Sequence, residues 1–163
     1  MAKGWFQTPQ RPEGDRTIAQ QLKGLERAIG EAKGKTVLDL GCAEGCIAAE
    51  FAKAGASVLG VELLASHVSI GRQYCKGLNV RFEVAGLDDW IAREQQAGIR
   101  RFDIVLALGI IHKLHEPNVA MSHAADAAFD LVVFRAPALS TGGIVTSKFT
   151  SKTCNVPKLM AAK

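Results

Sequence analysis

Apolar and polar positions alternate along this chain in two rhythms, and the rhythms change at regular intervals. From Thr17 to Ile29 the apolar residues Ile18, Leu22, Leu25 and Ile29 share one helical face, which predicts a single amphipathic helix punctuated by Gly30 and Gly34. Thr36–Leu40 then reads as a strand, and Glu44–Ala54 as a helix with Ile47, Phe51 and Ala54 on one face, closed by Gly55. The same exchange repeats. Ala56–Val61, Asn79–Ala85, Phe102–Leu108 and Asp130–Phe134 read as strands. Ala65–Cys75, Asp88–Gln96 and Pro117–Phe129 read as the helices between them. Pro117 suits a first helical turn, and Asp88 and Asp89 suit the positive end of a helix. The runs Val58–Val61, Ile104–Leu108 and Leu131–Phe134 are apolar throughout, as in strands covered on both faces. Regular alternation of this kind predicts an α/β fold: a doubly wound, mostly parallel sheet with helices on both faces.

The ends are less regular. Residues 1–16 carry Gly4, Pro9, Pro12 and Gly14 and read as an N-terminal arm, with Trp5 and Phe6 as its apolar anchors or as a lid. Residues 17–163 read as one domain, long enough to bury a core. Gly143–Phe149 reads as a further strand and Val156–Ala162 opens like a helix.

Composition narrows the class. The chain is 48% hydrophobic and 22% charged, the balance of a soluble globular protein. No apolar run approaches the roughly 20 residues that span a bilayer, and the N-terminus lacks the apolar core of a secretory signal. The expected location is the cytoplasm, with no membrane partner. Cys42, Cys46, Cys75 and Cys154 are too few for a disulfide scaffold and read as reduced structural thiols. The net charge of +4 is unevenly spread: residues 36–134 hold eight Lys and Arg against twelve acids, while residues 135–163 hold five Lys and Arg and no acid. A basic end fits a solvated surface or an anionic partner such as RNA. No aromatic residues interleave with these charges to stack bases.

The chemistry concentrates in Val37-Leu38-Asp39-Leu40-Gly41-Cys42-Ala43-Glu44-Gly45. A strand ends in an acid, a small-residue turn follows, and a helix opens. Such a turn lets a ligand approach the backbone closely. Glu62 closes the next strand, where a carboxylate can accept hydrogen bonds from a ribose diol. Together they describe a pocket for a nucleoside-containing cofactor.

Those residues, with Phe102–Pro117, resemble the class I S-adenosylmethionine-dependent methyltransferases, over about residues 35–135. The resemblance implies a Rossmann-like sheet and S-adenosyl-L-methionine as cofactor. It implies that Asp39 sits near the methionine amino group, and that Gly41, Cys42 and Ala43 wall the methionine and ribose. Glu62 would hold the ribose hydroxyls, Leu63 would flank the adenine, and Leu108 and Gly109 would lie beside the methyl group. Where the family carries an acid that contacts adenine, this chain has Gly86, which leaves that role to Asp88 or to a backbone group, with Leu87 beside them. The family's sheet has seven strands, whereas five and a further candidate are legible here. Either the C-terminus is shortened or the parent protein continues beyond Lys163, and an incomplete sheet edge favours a homo-oligomer or a partner subunit.

Methyl transfer from a sulfonium is an in-line displacement governed by alignment, which can contribute about 7–11 kcal/mol. An oxygen nucleophile also needs a base. His112, in the loop after the fourth strand, is the candidate, since an imidazole can take a proton near neutral pH. His115 reads as surface, and His67 and His123 as solvated helix positions. His112 and His115 lack a third ligand for a metal. The expected function is methyl transfer to a small-molecule or RNA acceptor. The alternatives are a non-catalytic cofactor-binding protein or partner subunit and, more remotely, an NAD-dependent oxidoreductase, for which the single Tyr74 offers no catalytic pair.

Overall fold

In the computed structural model residues 8–14 and 17–135 are described. Trp5, Phe6, Cys154, the strand expected at Gly143–Phe149 and the helix expected at Val156–Ala162 lie outside them. Two short helices come first, α1 (Ile18–Leu22) and α2 (Glu26–Gly30). The single helix expected over Thr17–Ile29 is broken at Lys23 and Gly24, because Gly24 adopts a φ of 84°, outside the helical region. A capping box starts α1: Thr17 Oγ1 accepts from Gln20 N, while the Gln20 side chain accepts from Thr17 N.

The alternating units follow as read: β1 (Thr36–Leu40), α3 (Cys46–Lys53), β2 (Ser57–Glu62), α4 (Ala65–Tyr74), β3 (Val80–Val84) and α5 (Leu87–Ala97). Then come β4 (Phe102–Leu108), a 3-10 turn (Ile111–Lys113), α6 (Pro117–Ala127) and β5 (Ala128–Arg135), so that Ala128 and Phe129, expected to end the helix, open the strand instead. The five described strands are all parallel, in the order β3-β2-β1-β4-β5. The order reverses at β1, which pairs with β2 on one side and β4 on the other.

The strand residues divide by face, except at the register shift in β4 that sends Phe102 and Ile104 to opposite faces. Val37, Val58, Ile104, Leu106 and Val133 pack with Phe51 and Ala48 of α3 and with Leu25 and Ala28. Leu38, Leu40, Leu59, Val61, Val105 and Val132 pack with Trp90 and Ile91 of α5 and Ala120 and Ala124 of α6. Both faces are therefore dry, as the uninterrupted apolar runs require. His123, expected at a solvated position, is instead only 1% exposed. It meets the Trp90 ring edge-on with centroids 5.5 Å apart, because α6 turns that face onto α5. Burial lowers the basicity of its imidazole and keeps it neutral.

Candidate functional site

Asp39 breaks the apolar pattern of the first face. It lies in register with Gly60 and Leu106, on the side of the sheet that carries Val37 and Val58, and it is 3% exposed. A buried carboxylate without partners is costly, and its Oδ2 has no hydrogen-bond partner. Burial, with the Glu62 carboxylate nearby, pushes its pKa up to about 7. Glu62 lies on the same face at the end of β2, and its carboxylate is fully directed. Oε2 accepts from Ala43 N at 3.1 Å and Oε1 from Leu64 N at 3.0 Å. His67, in the first turn of α4, brings Nδ1 to 3.5 Å from Glu62 Oε1.

The turn between these two acids is shaped for close approach. Gly41 has φ 74°, and Ala43, which has a side chain, still adopts φ 49°. That left-handed backbone is strained for alanine and is held by the Ala43 N–H bond to Glu62. A Cβ on Gly41 would come within 2.9 Å of Ile110 Cγ1, so only glycine lets the loop after β4 settle against the turn. Gly60 serves the same end, because a Cβ there would collide with Cys42 Sγ at 2.6 Å. Cys42, Cys46 and Cys75 are free and buried. Burial raises the pKa of all three thiols, that of Cys46 to about 11, which suits packing rather than nucleophilic roles.

The carboxyl ends of β1, β2 and β4 open on one groove of about 790 Å³, the place where open α/β sheets bind ligands. Of the residues singled out from the sequence, Asp39, Gly41, Cys42, Ala43, Glu62, Leu63, Leu87, Asp88, Leu108 and Gly109 all line it. His112 does not. Like Lys113 and His115 it is exposed, but Ile110, Lys113, Leu114 and His115 of the same loop border the groove and His112 does not. Sequence reasoning passed over several lining residues: Glu44, Leu64, His67, Asp89, Ile110, Gln21 and Arg135. His67 had a usable signal, since it sits five residues after Glu62 in the first turn of the following helix. Gln21 and Arg135 had none, because their meeting depends on tertiary structure: the Arg135 guanidinium donates to the Gln21 and Lys23 carbonyls at 2.8 and 3.0 Å.

Charges of both signs line the groove, Arg11 and Glu44 among them. Acidic Asp39, Glu62, Asp88 and Asp89 belong to β1, β2 and the first turn of α5. Basic Lys113 and Arg135 belong to the β4 and β5 ends. Among the described residues no group of three or more His, Cys, Asp or Glu could hold a metal ion. No helix among them is long and apolar enough to cross a membrane.

Residues 37–128 match the family model of the methyltransferase domain. The ubiquinone biosynthesis O-methyltransferase of Glaesserella parasuis serovar 5 (strain SH0165) is 29% identical over 125 residues, covering 72% of this chain and 50% of that protein. Its counterpart in Bordetella avium (strain 197N) is 29% identical over 98 residues, covering 60% and 40%. The magnesium protoporphyrin IX methyltransferase of Synechocystis PCC 6803 with bound SAM superposes with a TM-score of 0.56 at 25% identity, over 72% of this chain and 55% of that one. The N-terminal domain of EvdMO1 with SAH bound gives a TM-score of 0.55 at 26% identity, over 66% and 46%. The chain spans about half the length of the curated relatives it matches.

Proposed function

The chain belongs to the methyltransferase-domain family, and from that premise we propose that it binds S-adenosylmethionine in this groove and directs methyl transfer to an oxygen of a small-molecule acceptor. The observation that carries the reading is the buried Asp39 carboxylate with an unpartnered Oδ2, beside a Glu62 already aimed by two backbone amides. A cationic amino group would supply what Asp39 lacks, and a ribose diol can use the remaining lone pairs of Glu62. When bound, the cofactor supplies a methyl group activated by its sulfonium charge.

The chain's own residues have the complementary tasks. Asp39 accepts from the amino group and Glu62 from the ribose hydroxyls. Gly41 and Ala43 keep side chains out of the turn. Leu63, Leu64 and Leu87 offer an apolar wall for the adenine, and Asp88 an acceptor for its amino group. The two leucines after Glu62 are 65% and 47% exposed, an unfavourable arrangement that a stacked base would relieve. Leu108, Gly109 and Ile110 border the transferred methyl and keep water from it. The relatives named as O-methyltransferases and the solved structures carrying SAM or SAH support the cofactor and the oxygen acceptor. A non-catalytic cofactor-binding subunit finds no support among them.

Calorimetric titration with S-adenosylmethionine, S-adenosylhomocysteine and NAD tests the reading. Saturable binding of the first two, and none of NAD, is expected. Binding of NAD without S-adenosylhomocysteine would overturn it.

A further inference from the structure

The helix after β2 opens on the Glu62 carboxylate. Leu64, the residue that caps α4, is extended at φ −88° and ψ 112° and gives the helix no side-chain cap. In a capping box the third helical residue reaches back to the N–H of the capping residue. Here Leu64 N donates to Glu62 Oε1 at 3.0 Å instead, and the third helical residue, His67, brings its ring to the same oxygen, with Nδ1 3.5 Å away. Glu62 therefore sits at the positive end of a ten-residue helix, met there by a backbone amide and an imidazole. Among the described residues no Lys or Arg forms an ion pair with Glu62 or Asp39. Nδ1 is buried and has no hydrogen-bond partner, although the side chain as a whole is 30% exposed and borders the groove. A buried imidazole nitrogen left unbonded is costly. Its distance to Oε1 lies at the outer limit of a hydrogen bond, and a shift of about half an ångström would complete one. A ligand in the groove cannot touch the buried Nδ1, so what that nitrogen does, it does through Glu62.

Resting on the function proposed above, we infer that His67 is a positioning residue for the cofactor: its Nδ1–H holds Glu62 from the closed side of the groove, so that the carboxylate turns its open side to the ribose hydroxyls. Nδ1 donates both in the imidazolium and in one of the two neutral tautomers. The donor also bears on Asp39. The charge of Glu62 disfavours ionisation of Asp39. A hydrogen bond from His67 draws off part of that charge and so favours the ionised Asp39 that a cationic amino group pairs with. A ring that only packed α4 onto β2 could be replaced by an apolar side chain of similar size without loss of binding. A ring that donates to Glu62 could not, and the position of the donor nitrogen would matter.

The test is calorimetric titration of the full chain with S-adenosylhomocysteine. Failure of the wild-type protein to bind would remove the proposed function, and this inference with it; once it binds, the variants test His67 alone. His67→Leu is expected to raise the Kd about tenfold, the cost of a hydrogen bond to a charged group. His67→Asn, whose amide nitrogen takes the place of Nδ1, should bind within about threefold of wild type, whereas His67→Gln, whose amide takes the place of Nε2, should behave like His67→Leu. In a Glu62→Ala background His67→Leu should change the Kd less than about twofold, because the residue acts through that carboxylate. Thermal melts without ligand establish that each variant is folded at the titration temperature, and if His67→Leu is not, the Asn and Gln variants decide. Unchanged affinity in His67→Leu, equal affinities of the Asn and Gln variants, or an undiminished loss in the Glu62→Ala background would overturn the inference.

Discussion

The paired strands β1 and β4 carry a carboxylate at each end of their shared stretch, and the two carboxylates are treated in opposite ways. Asp103, at the start of β4, accepts from Thr36 N at 2.7 Å and Thr36 Oγ1 at 2.8 Å, while its own N–H donates to Thr36 Oγ1 at 3.1 Å. Those bonds hold its pKa below the usual carboxylate range, the Thr36 amide contributing most. Asp39, at the other end, is buried, lacks a partner for Oδ2, and is pushed up to about 7. One end of the sheet is closed upon itself and the other is left open to a ligand. On the proposed function, the contrast separates stability from ligand binding along a single strand pair.

Removing Asp39 should break that contrast with the largest effect. Asp39→Asn is expected to weaken S-adenosylhomocysteine binding by about 2–4 kcal/mol, since a charged amine would lose its counter-charge in a desolvated site. The same substitution should leave the ligand-free fold as stable or more so, because it deletes a buried, unsatisfied charge. Calorimetry and thermal melts of one preparation read both effects. The sign with pH follows from the raised pKa. Between about pH 4 and 7 the folded protein holds a proton at Asp39 that the unfolded chain releases. Asp39 therefore makes the ligand-free protein less stable as pH rises through that window, and Asp39→Asn should remove that part of the slope.

Glu62 sharpens the same point one strand away. Glu62→Ala should cost about 1–3 kcal/mol in cofactor affinity, as the ribose loses its acceptor. It should also cost some stability, because Ala43 N and Leu64 N lose their partner. Unlike Asp39, Glu62 is expected to move both readouts, and an effect on stability alone would place the ribose elsewhere.

The smallest expected effect lies at the closed end. Asp103→Ala should lower stability by about 1 kcal/mol, a modest figure for hydrogen bonds at a solvated strand end, and leave cofactor affinity unchanged. Its contribution is present above the ordinary aspartate pKa and lost as pH falls through the depressed folded value, so it is an acid-side effect. A change in cofactor affinity on this substitution would mean that the two ends of the strand pair are coupled.

The order of elements was legible in the sequence because the patterns of burial are local: uninterrupted apolar runs for β2, β4 and β5, alternation for β3, and helical spacing for α3. The two acids that border the groove were legible as well, since Asp39 interrupts an apolar strand and Glu62 ends one. What could not be read depends on distance in the chain or on a reversal of direction. Gly24 breaks the first helix by adopting a positive φ, which the apolar spacing of Ile18, Leu22, Leu25 and Ile29 does not register. His123 lies at a position of α6 that α5 covers with Trp90, a contact between residues 33 apart. In the loop after β4 the sequence pointed to His112 as the base and to His115 as surface. Only the 3-10 turn and the extended Leu114 decide which of them faces the groove. Arg135 and Gln21 are 114 residues apart and meet only because β5 ends beside α1.

The central claim is that Asp39 is left unpaired for a cationic group of the cofactor. It is tested most directly by the protons exchanged on binding, measured by titrating S-adenosylhomocysteine near pH 6.5 in buffers of different ionisation enthalpy. A carboxyl with a pKa of about 7 is mostly protonated there, so its pairing with an ammonium should release a large fraction of one proton per molecule bound. The same titration of Asp39→Asn should release none. Binding by the wild-type protein with no proton release, or equal release by Asp39→Asn, would contradict the account.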